Sequence, residues 1–283
     1  MIISFHSDID EFLHMCLPYL CENEAANGLM IGLCLKAQAK KQEKEDFPIK
    51  LVSVTRGQDL LMVAIQTPPH NLVLSHAAAG TAEPLAQALY KKTYKFPGIV
   101  GPVNETKAFA AAWKKIAGAG SKLAMQQRIY QLDRVVPPQN ISGACRPANL
   151  DDVKLVAEWF TAFEEEALAK HERGTLQQNF EKAESRINEQ QVFLWIDQGV
   201  PVSLAATAIS TRNGIAINSV YTPPRCRARG YASGNVAAIS QKQLENGYKF
   251  CFLYTDAGNP TSNSIYQKIG YHFAADSSFY IIE

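Results

Sequence analysis

The stretch NSVYTPPRCRARGYAS, residues 218–233, runs from a strand pattern through a basic loop into the start of a helix. Two adjacent prolines end the strand, because proline has no N–H to donate to a sheet. Gly230 lets the backbone approach a ligand closely, and Ala232 keeps the start of the helix narrow. Three arginines add positive charge to the loop: Arg225, Arg227 and Arg229. N–H groups that converge ahead of a helix N-terminus favour an anion, so the pattern predicts a diphosphate-binding turn.

An ordinary surface turn with solvated arginines is the alternative interpretation of this loop taken alone. A dinucleotide fingerprint does not fit, since Gly230 and Gly234 lack the Gly-x-Gly-x-x-Gly spacing. The elements around the loop therefore have to distinguish a binding turn from a structural one.

The second half of the chain alternates strand and helix patterns in a regular order. Apolar residues at helical spacing from Leu155 to Phe163 follow the start signal at Asn149, and Asn213-Gly214 is typical of a hairpin turn. Helices are predicted to begin near Gly230 and Asn259. The predicted strands cover residues 192–197, 200–209, 215–221, 250–255, 271–274 and 279–282. This order predicts an α/β domain with a mixed sheet.

The first half has a related rhythm of strand, turn and helix. A long helical stretch is predicted from about Asp8, and further helices at residues 83–94 and 105–116. Strands are predicted at residues 49–55, 60–66, 71–75, 98–101 and 121–132. The segment AWKKI at 112–116 echoes IYQKI at 265–269, which raises the possibility of a duplicated domain.

Length and composition set the limits of these interpretations. A chain of 283 residues suggests two domains, and the adjacent prolines near residues 134–143 mark the boundary. We therefore predict domains at 1–134 and 143–283 with a linker at 135–142. Hydrophobic residues at 47% and charged residues at 19% are typical of a globular protein.

The charge and the scattered metal-ligand residue types exclude several classes of function. Lys plus Arg is 28 and Asp plus Glu is 27, a net charge of +1 that argues against a nucleic-acid or anionic-membrane binder. The six cysteines and six histidines show no ligand spacing, so no metal is expected. An acidic N-terminal segment and the lack of a long apolar run predict a cytoplasmic protein.

The loop and its surroundings resemble the GNAT superfamily of acyl-CoA-dependent N-acetyltransferases. The segment Arg227-Ala-Arg-Gly-Tyr-Ala232 matches the Arg/Gln-x-x-Gly-x-Gly/Ala signature, with alanine for the last glycine, a departure that the family commonly shows. Asn259 and the segment SNSIYQKIGY at 262–271 resemble the family's Asn…Ser…Tyr-x-Lys-x-Gly-Phe/Tyr pattern, and CRPA at 145–148 resembles its first strand. The resemblance covers residues 143–283. It implies an α/β (α+β) fold with a mixed, mostly antiparallel central sheet flanked by helices, duplicated if the first half is a second copy.

The resemblance also implies a binding site for acetyl-CoA or coenzyme A as co-substrate. The backbone at Val220, Tyr221 and Thr222 would pair with the pantetheine arm, which Asn259 would hydrogen-bond. Ser262 and Asn263 would lie near the same arm. The pyrophosphate would be held by the amides of Arg227, Ala228, Arg229, Gly230, Tyr231, Ala232 and Ser233.

Tyr266 is the implied general acid for the leaving thiolate. A tyrosine of pKa about 10 can protonate a thiolate of pKa about 8.5 if the site brings the two values closer together. The alternative is an aromatic side chain packed on the helix face that it shares with Ile269.

The incoming amine must lose a proton before it attacks, since its pKa is near 10.4. Glu164, Glu165 and Glu166 are candidate bases, but neighbours on a helix point about 100° apart, so they cannot all face one site. We choose Glu165, with an ordered water chain as the alternative base and His171 as a weaker candidate. A solvated acidic face without a catalytic role is the alternative interpretation of all three glutamates. A strand amide near Tyr221 or Thr222 would polarise the thioester carbonyl.

The first half lacks these residues and is predicted to be a non-catalytic, GNAT-like domain that shapes or covers the acceptor cleft. Its strand-to-helix junction, SHAAAGTAE at 75–83, has no basic run. Trp113 stands where the echo places Tyr266, and an indole is not a usable acid for a thiolate.

The sequence therefore predicts an acetyl-CoA-dependent N-acetyltransferase that acts on an amine of a small molecule or a peptide. The first alternative is a non-catalytic acyl-CoA sensor, which needs the loop but no proton transfer. A second alternative is a nucleotide-binding α/β protein that binds ATP or NAD. Cys226 and Cys251 are interpreted as structural, because neither has a histidine placed by a local motif to support an acyl-cysteine route.

Overall fold

The computed structural model describes residues 1–168 and 173–283. Two compact units form within it. The first contains Met1–Ile129, Tyr254–Asn259 and Phe273–Glu283, and the second contains Tyr130–Leu253 and Pro260–His272. The chain thus returns to the first unit twice after residue 253. The domains at 1–134 and 143–283 with their linker stay a prediction.

Strands and helices alternate along most of the chain. The strands are β1 (Ile2–His6), β2 (Lys50–Arg56), β3 (Asp59–Gln66), β4 (Leu72–Leu74), β5 (Gly98–Pro102), β6 (Ser121–Leu132), β7 (Ala144–Pro147), β8 (Val192–Asp197), β9 (Val200–Ser210), β10 (Gly214–Tyr221), β11 (Phe250–Asp256) and β12 (His272–Ile282). The helices are α1 (Ile9–Cys21), α2 (Gly28–Gln42), α3 (Ala82–Lys91), α4 (Val103–Ala117), α5 (Val153–Ala167), α6 (Leu176–Asn188), α7 (Tyr231–Glu245) and α8 (Pro260–Lys268).

The sheet of the first unit has hydrophobic cores on both faces. Its strands lie in the order β1-β2-β3-β4-β5-β12, antiparallel except for the parallel pair β4 and β5. Alternate residues of a strand point to opposite faces, so Val52 packs toward α3 and α4 while Leu51 packs toward α1 and α2. Helix α1 begins at Asp8, whose carboxylate accepts the N–H groups of Asp10 and Glu11.

The second unit repeats this plan with strands in the order β11-β10-β9-β8-β7. Only β10 and β11 among these described strands run parallel. Leu194 and Leu204 pack toward α5 and α6, and Phe193 and Ala205 pack toward α7 and α8. In both units a strand, a helix, a parallel strand and a second helix follow one another, as β4-α3-β5-α4 and as β10-α7-β11-α8.

The predicted fold class is confirmed, with four corrections to single elements. The long helix predicted from Asp8 is two helices, α1 and α2, and the two strands predicted after Tyr271 are the single strand β12. Strand β1 and helix α6 were not predicted. No helix within the described ranges is long and apolar enough to cross a membrane.

Candidate active site

The end of β10 leaves the regular sheet and exposes an edge of backbone. In the described part of the chain, β10 pairs with β11 only from Gly214 to Ala216. On its other side the register with β9 shifts between Asn218 and Tyr221, and Ser219 has a φ of +50°. Such an irregularity is a β-bulge, which bends a strand and turns its backbone groups away from the ladder. The backbone that follows, as far as Thr222, is therefore placed to pair with an extended ligand.

Two hydroxyl contacts hold the last residues of this edge in place. Ser203 on β9 donates from its Oγ to the carbonyl oxygen of Tyr221 over 3.1 Å. The same Oγ lies 2.9 Å from the Oγ1 of Thr222. The Tyr221 ring packs 6.0 Å from the Trp159 ring on α5, and burial raises the pKa of its phenol. The strand end is thus fixed before any ligand binds. Sequence reasoning missed Ser203, whose contact crosses strands and leaves no local signal.

The loop after β10 makes a short 3-10 turn and then enters α7 through Gly230. The turn covers Pro224–Cys226, and Ala228 and Gly230 have φ values of +62° and +81°. The first hydrogen bond inside α7 runs from Gly234 N to Gly230 O over 2.9 Å. The three amides before it, at residues 231–233, therefore face out of the helix end. No side chain within residues 1–168 or 173–283 caps this end.

The start of α7 is held tightly against the sheet. The Tyr231 hydroxyl donates to Asp197 Oδ2 over 2.6 Å and, as the largest of several effects, lowers the pKa of that carboxyl. Gly234 lies so close to Trp195 that a Cβ there would come within 2.9 Å of the indole. A Cβ on Gly230 would come within 2.9 Å of the Ile141 side chain. The amides that face outward are thus held in place, and amides at a helix start are the type of donor that binds anions in proteins.

The three arginines of the loop have different surroundings. Arg225 and Arg229 are exposed. Arg227 donates from Nε to the carbonyl oxygen of Thr222 over 2.9 Å. Its Nη2 contacts both carboxylate oxygens of Glu166 on α5, at 2.7 and 2.8 Å. Arg227 therefore closes the loop on itself and ties it to α5, a partner that the sequence did not identify.

Tyr266 lies on α8 and is largely buried, at 9% exposed. It belongs to the same core cluster as Val236 of α7, and Val220 of β10 packs against that cluster. Its ring meets the Tyr271 ring edge-on at 5.9 Å, and burial raises the pKa of its phenol to about 12. Tyr266 and Val220 thus belong to one hydrophobic cluster of the second unit. Its role as an acid stays a prediction.

Ser262 and Asn263 precede Tyr266 on α8, and Asn263 is buried. Asn259 ends the segment that belongs to the first unit, where its N–H donates to the carbonyl oxygen of Asp256 over 3.1 Å. The assignment of these three side chains to the pantetheine arm stays a prediction.

The three consecutive glutamates at the end of α5 point in different directions, as the helical geometry requires. Glu164 is 5% exposed and accepts hydrogen bonds from Gly174 N, Asn179 Nδ2 and Lys182 Nζ at 2.9, 3.0 and 2.9 Å. Burial favours its neutral form, but these donors outweigh burial and lower its pKa. Glu166 pairs with Arg227, and Glu165 is exposed. Glu165 stays a predicted base, and His171 lies outside the described residues.

The described residues offer no group of three metal-ligating side chains. Burial raises the pKa of the Cys251 thiol to about 12, and it donates weakly to the carbonyl oxygen of Ser240 over 3.6 Å. A thiol with this pKa is a poor nucleophile near neutral pH, which supports its structural interpretation.

The family model described as "FR47-like protein" matches residues 195–280, which contain β10, the loop, α7 and α8. Among solved structures, a Drosophila protein has a TM-score of 0.70 at 13% identity and covers 99% of this chain and 98% of its own. A GCN5-related N-acetyltransferase from Sphaerobacter thermophilus has a TM-score of 0.62 at 12% identity, over 98% and 94%. No curated protein matches the chain.

A tandem GNAT protein from the clavulanic acid biosynthesis pathway has a TM-score of 0.56 at 11% identity and covers 100% of this chain and 98% of its own. Identities this low compare folds and not activities. The resemblance predicted from the sequence is confirmed at that level: the chain has the GNAT acetyltransferase fold in a tandem arrangement, and residues 195–280 match the FR47-like family.

Proposed function

We propose that the chain is an acetyl-CoA-dependent N-acetyltransferase that moves an acetyl group to an amine of a small molecule or a peptide. The observation that carries the proposal is the start of α7, where the amides at residues 231–233 face outward behind a glycine with positive φ. The open backbone edge at the end of β10 lies in the same unit. A donor with a diphosphate and an amide-rich arm fits this combination, and the GNAT fold supports it.

Donor binding uses the backbone more than side chains in this proposal. The edge at residues 220–222 pairs with the amides of the pantetheine arm as a further strand would. The N–H groups of residues 228–233 donate to the diphosphate, whereas the N–H of Arg227 already donates to the carbonyl oxygen of Pro224 over 3.3 Å. Arg225 and Arg229 add charge from the surface. Asn259, Ser262 and Asn263 are proposed as further contacts to the arm.

The chemical step is a direct attack of the amine on the thioester carbonyl. The amine gives up a proton to Glu165 or to an ordered water chain, the new C–N bond forms and the C–S bond breaks. An N–H near Tyr221 or Thr222 stabilises the negative charge that develops on the carbonyl oxygen. Tyr266 hydrogen-bonds the departing thiolate and supplies its proton.

The raised pKa of Tyr266 limits how that last proton moves. A phenol of pKa about 12 transfers a proton uphill to a thiolate of pKa about 8.5. The bound donor therefore has to bring the two values together by placing the sulfur against the hydroxyl. Without that change, Tyr266 serves as a hydrogen-bond donor only.

A non-catalytic acyl-CoA sensor is the second candidate. It is favoured by the deep burial of Tyr266, which belongs to a hydrophobic cluster as a packed aromatic would. A sensor uses the loop and the strand edge but needs no proton transfer. The two candidates share the same donor site and differ only in turnover.

Calorimetric titration of acetyl-CoA, CoA, NAD and ATP tests the donor site. We expect binding of acetyl-CoA and CoA and no binding of NAD or ATP. Gly230→Glu places a carboxylate among the outward amides and should abolish binding. Gly199→Glu is the matched control, because Gly199 has a similar φ of +77° in the same unit with open space around it. Equal loss in both variants, or binding of NAD or ATP alone, contradicts the proposal.

A further inference from the structure

Arg186 on α6 contacts the irregular part of β10 from the face of the sheet that carries α5 and α6. Its guanidinium donates from Nη2 to the carbonyl oxygen of Thr207 on β9 and, over 3.0 Å, to Asn218 Oδ1. Its Nη1 lies 3.5 Å from Ser219 Oγ. One side chain thus contacts both strands at the bulge, and it has no part in the proposed chemical step.

The bulge is where the backbone of β10 changes direction. Asn218 lies opposite Ala206 and Tyr221 lies opposite Leu204. Between these pairs β10 advances three residues and β9 advances two, so one residue of β10 has no opposite number. Ser219 has a φ of +50°, a conformation that a residue with a side chain seldom adopts without support. Contacts from neighbouring residues therefore have to stabilise this conformation of the strand.

The surroundings of Arg186 make it suited to that task. The guanidinium stacks 5.5 Å from the centre of the Phe160 ring, and Nε donates to Gln191 Oε1 over 3.3 Å. Burial lowers the pKa of Arg186 to about 10. No ion pair within the described ranges includes Arg186, and its hydrogen-bond partners there are neutral groups, three of which lie in the bulge or on the strand opposite it. A planar fork with five donors fixes several acceptors at set angles, which a lysine ammonium does not.

We propose that Arg186 is a positioning residue that holds the β10 bulge so that the N–H groups after it point at the acetyl carbonyl of the donor. This inference rests on the proposed function, because it assigns a task to the strand end that binds the thioester. Arg186 touches no reacting atom. It acts through Asn218 and Ser219, and through them on the direction of the backbone at residues 220–222.

Infrared spectroscopy of acetyl-CoA labelled with 13C at the carbonyl tests the inference without an acceptor. A hydrogen bond to the carbonyl oxygen lowers the frequency of the C=O stretch. We expect a lower frequency in the wild-type complex than in water, and loss of at least half of that shift in Arg186→Lys. Lys182→Met is the matched control, since Lys182 lies over the same Phe160 ring from the same helix but pairs with Glu164 on α5. It should keep the full shift.

Each outcome decides between the inference and the proposed function. If the wild type does not bind acetyl-CoA, the proposed function fails and the inference fails with it. If it binds and Arg186→Lys keeps the full shift, or the wild type shows none, only the inference fails. Should Arg186→Lys not fold, Asn218→Ala replaces it, because Asn218 is exposed and tolerates truncation. We expect a smaller but measurable loss of shift there, and an unchanged band overturns the inference.

Discussion

The junctions from β4 to α3 and from β10 to α7 occupy corresponding places in the two units and differ in their backbone donors. The junction after β4 enters α3 behind Gly80, with a φ of +83°, and the junction after β10 enters α7 behind Gly230, with a φ of +81°. Neither helix has a side-chain hydrogen bond at its N-cap among the described residues. A glycine of positive φ is therefore present at both junctions, as the N-cap itself before α7 and one residue ahead of the N-cap Thr81 before α3.

The protein itself satisfies two backbone donors in the loop of the first junction. Ala77 N donates to Glu105 Oε1 and Ala78 N donates to the carbonyl oxygen of Leu61, both over 3.1 Å. The Thr81 hydroxyl donates to the carbonyl oxygen of Ala78 over 2.8 Å. At the second junction Arg225 and Arg229 are exposed, and three amides, at residues 231–233, precede the first hydrogen bond of α7. In α3 the first bond runs from Leu85 N to Thr81 O, and only two amides precede it, because Pro84 has no N–H. The two junctions therefore differ in the number of helix-start amides and in the positive charge beside them, although a glycine of positive φ precedes the helix in both.

Helices α4 and α8, which follow the parallel strands of the two units, carry different aromatic residues at corresponding positions. Trp113 on α4 stacks on Phe109 at 5.9 Å and lies 4.7 Å from Phe96, deep in the first core. Tyr266 on α8 is also buried, but its phenol can donate a proton, and its oxygen can accept one. If the second unit is an enzyme, Tyr266 can take part in proton transfer, whereas Trp113 contributes only packing.

Tyr266→Phe should therefore produce the largest effect. We expect kcat to fall about 100-fold or more, which is the usual contribution of a general acid, with the Kd of acetyl-CoA within about threefold of the wild type. Trp113→Phe should lower Tm through lost packing and leave kcat per folded molecule unchanged. Steady-state turnover with an acceptor amine, beside calorimetry of acetyl-CoA, measures both. An undiminished kcat in Tyr266→Phe rules out the acid role.

The pKa of Tyr266 sets the pH range of this activity. A general acid works while it is protonated, so activity that depends on Tyr266 is lost only as pH rises through its pKa of about 12. Between pH 7 and 10 the rate should instead rise as the acceptor amine loses its proton. A decline of the wild-type rate below pH 10 that Tyr266→Phe abolishes would contradict a pKa this high.

Glu105→Ala should leave the N–H of Ala77, in the first junction, without its acceptor. Loss of the acceptor for Ala77 N, together with loss of a carboxylate from the first turn of α4, should lower the free energy of unfolding by about 2 kcal/mol. Acetyl-CoA should bind as in the wild type, because its site lies elsewhere. Chemical denaturation and calorimetry make the two measurements, with Glu83→Gln on exposed α3 surface as the control. A weaker Kd for acetyl-CoA would mean that the first junction takes part in binding.

Removing charge from the second junction should weaken acetyl-CoA binding less than Gly230→Glu, which blocks its amides. Arg225→Gln with Arg229→Gln should weaken acetyl-CoA about fivefold at low salt and less at high salt, since both side chains are exposed. Arg212→Gln, also exposed, should leave the affinity unchanged. Conversely, Ala79→Arg in the first junction should not create a binding site, because Ala77 N and Ala78 N are already bonded and Pro84 removes one amide from the start of α3. A loss near 100-fold in the double variant would show that charge and not the backbone dominates.

The sequence predicted the second junction better than the strand that leads to it. Proline pairs and a glycine before a helix are local signals, and they located the loop, α7 and α8 correctly. The bulge left no such signal, because Ser219 adopts a positive φ that its residue type does not announce. Helix α6 escaped notice because it buries only Asn179, Ala183 and Ile187, too few apolar residues for a periodic pattern. Glu164 and Glu166 contact residues of other elements. The sequence shows only three adjacent glutamates and does not indicate which partner each one has.

The smallest effect concerns the ion pair beside the first junction. His76 Nδ1 lies 3.6 Å from Glu105 Oε1, and the His76 side chain is about half exposed. The hydrogen bond with Glu105 raises the pKa of His76, and that of Glu105 is lowered by His76 and Ala77 against the opposing effect of burial. The histidine's contribution to stability is complete below its ordinary pKa and is lost as pH rises through the raised value. The carboxylate's contribution is complete above its ordinary pKa and is lost as pH falls through the lowered value.

The pair should therefore stabilise the first unit most between the ordinary pKa values of the two groups, about 4.5 and 6.5. His76→Asn should lower the free energy of unfolding in that range by less than about 1 kcal/mol and have no effect near pH 9, because exposed pairs are screened by solvent. Urea denaturation at pH 5.5 and pH 9 measures the difference, with His70→Asn, an exposed histidine near β4, as the control. An equal loss at both pH values would show that His76 acts by packing and that the first junction is held by Glu105 and its backbone donors alone.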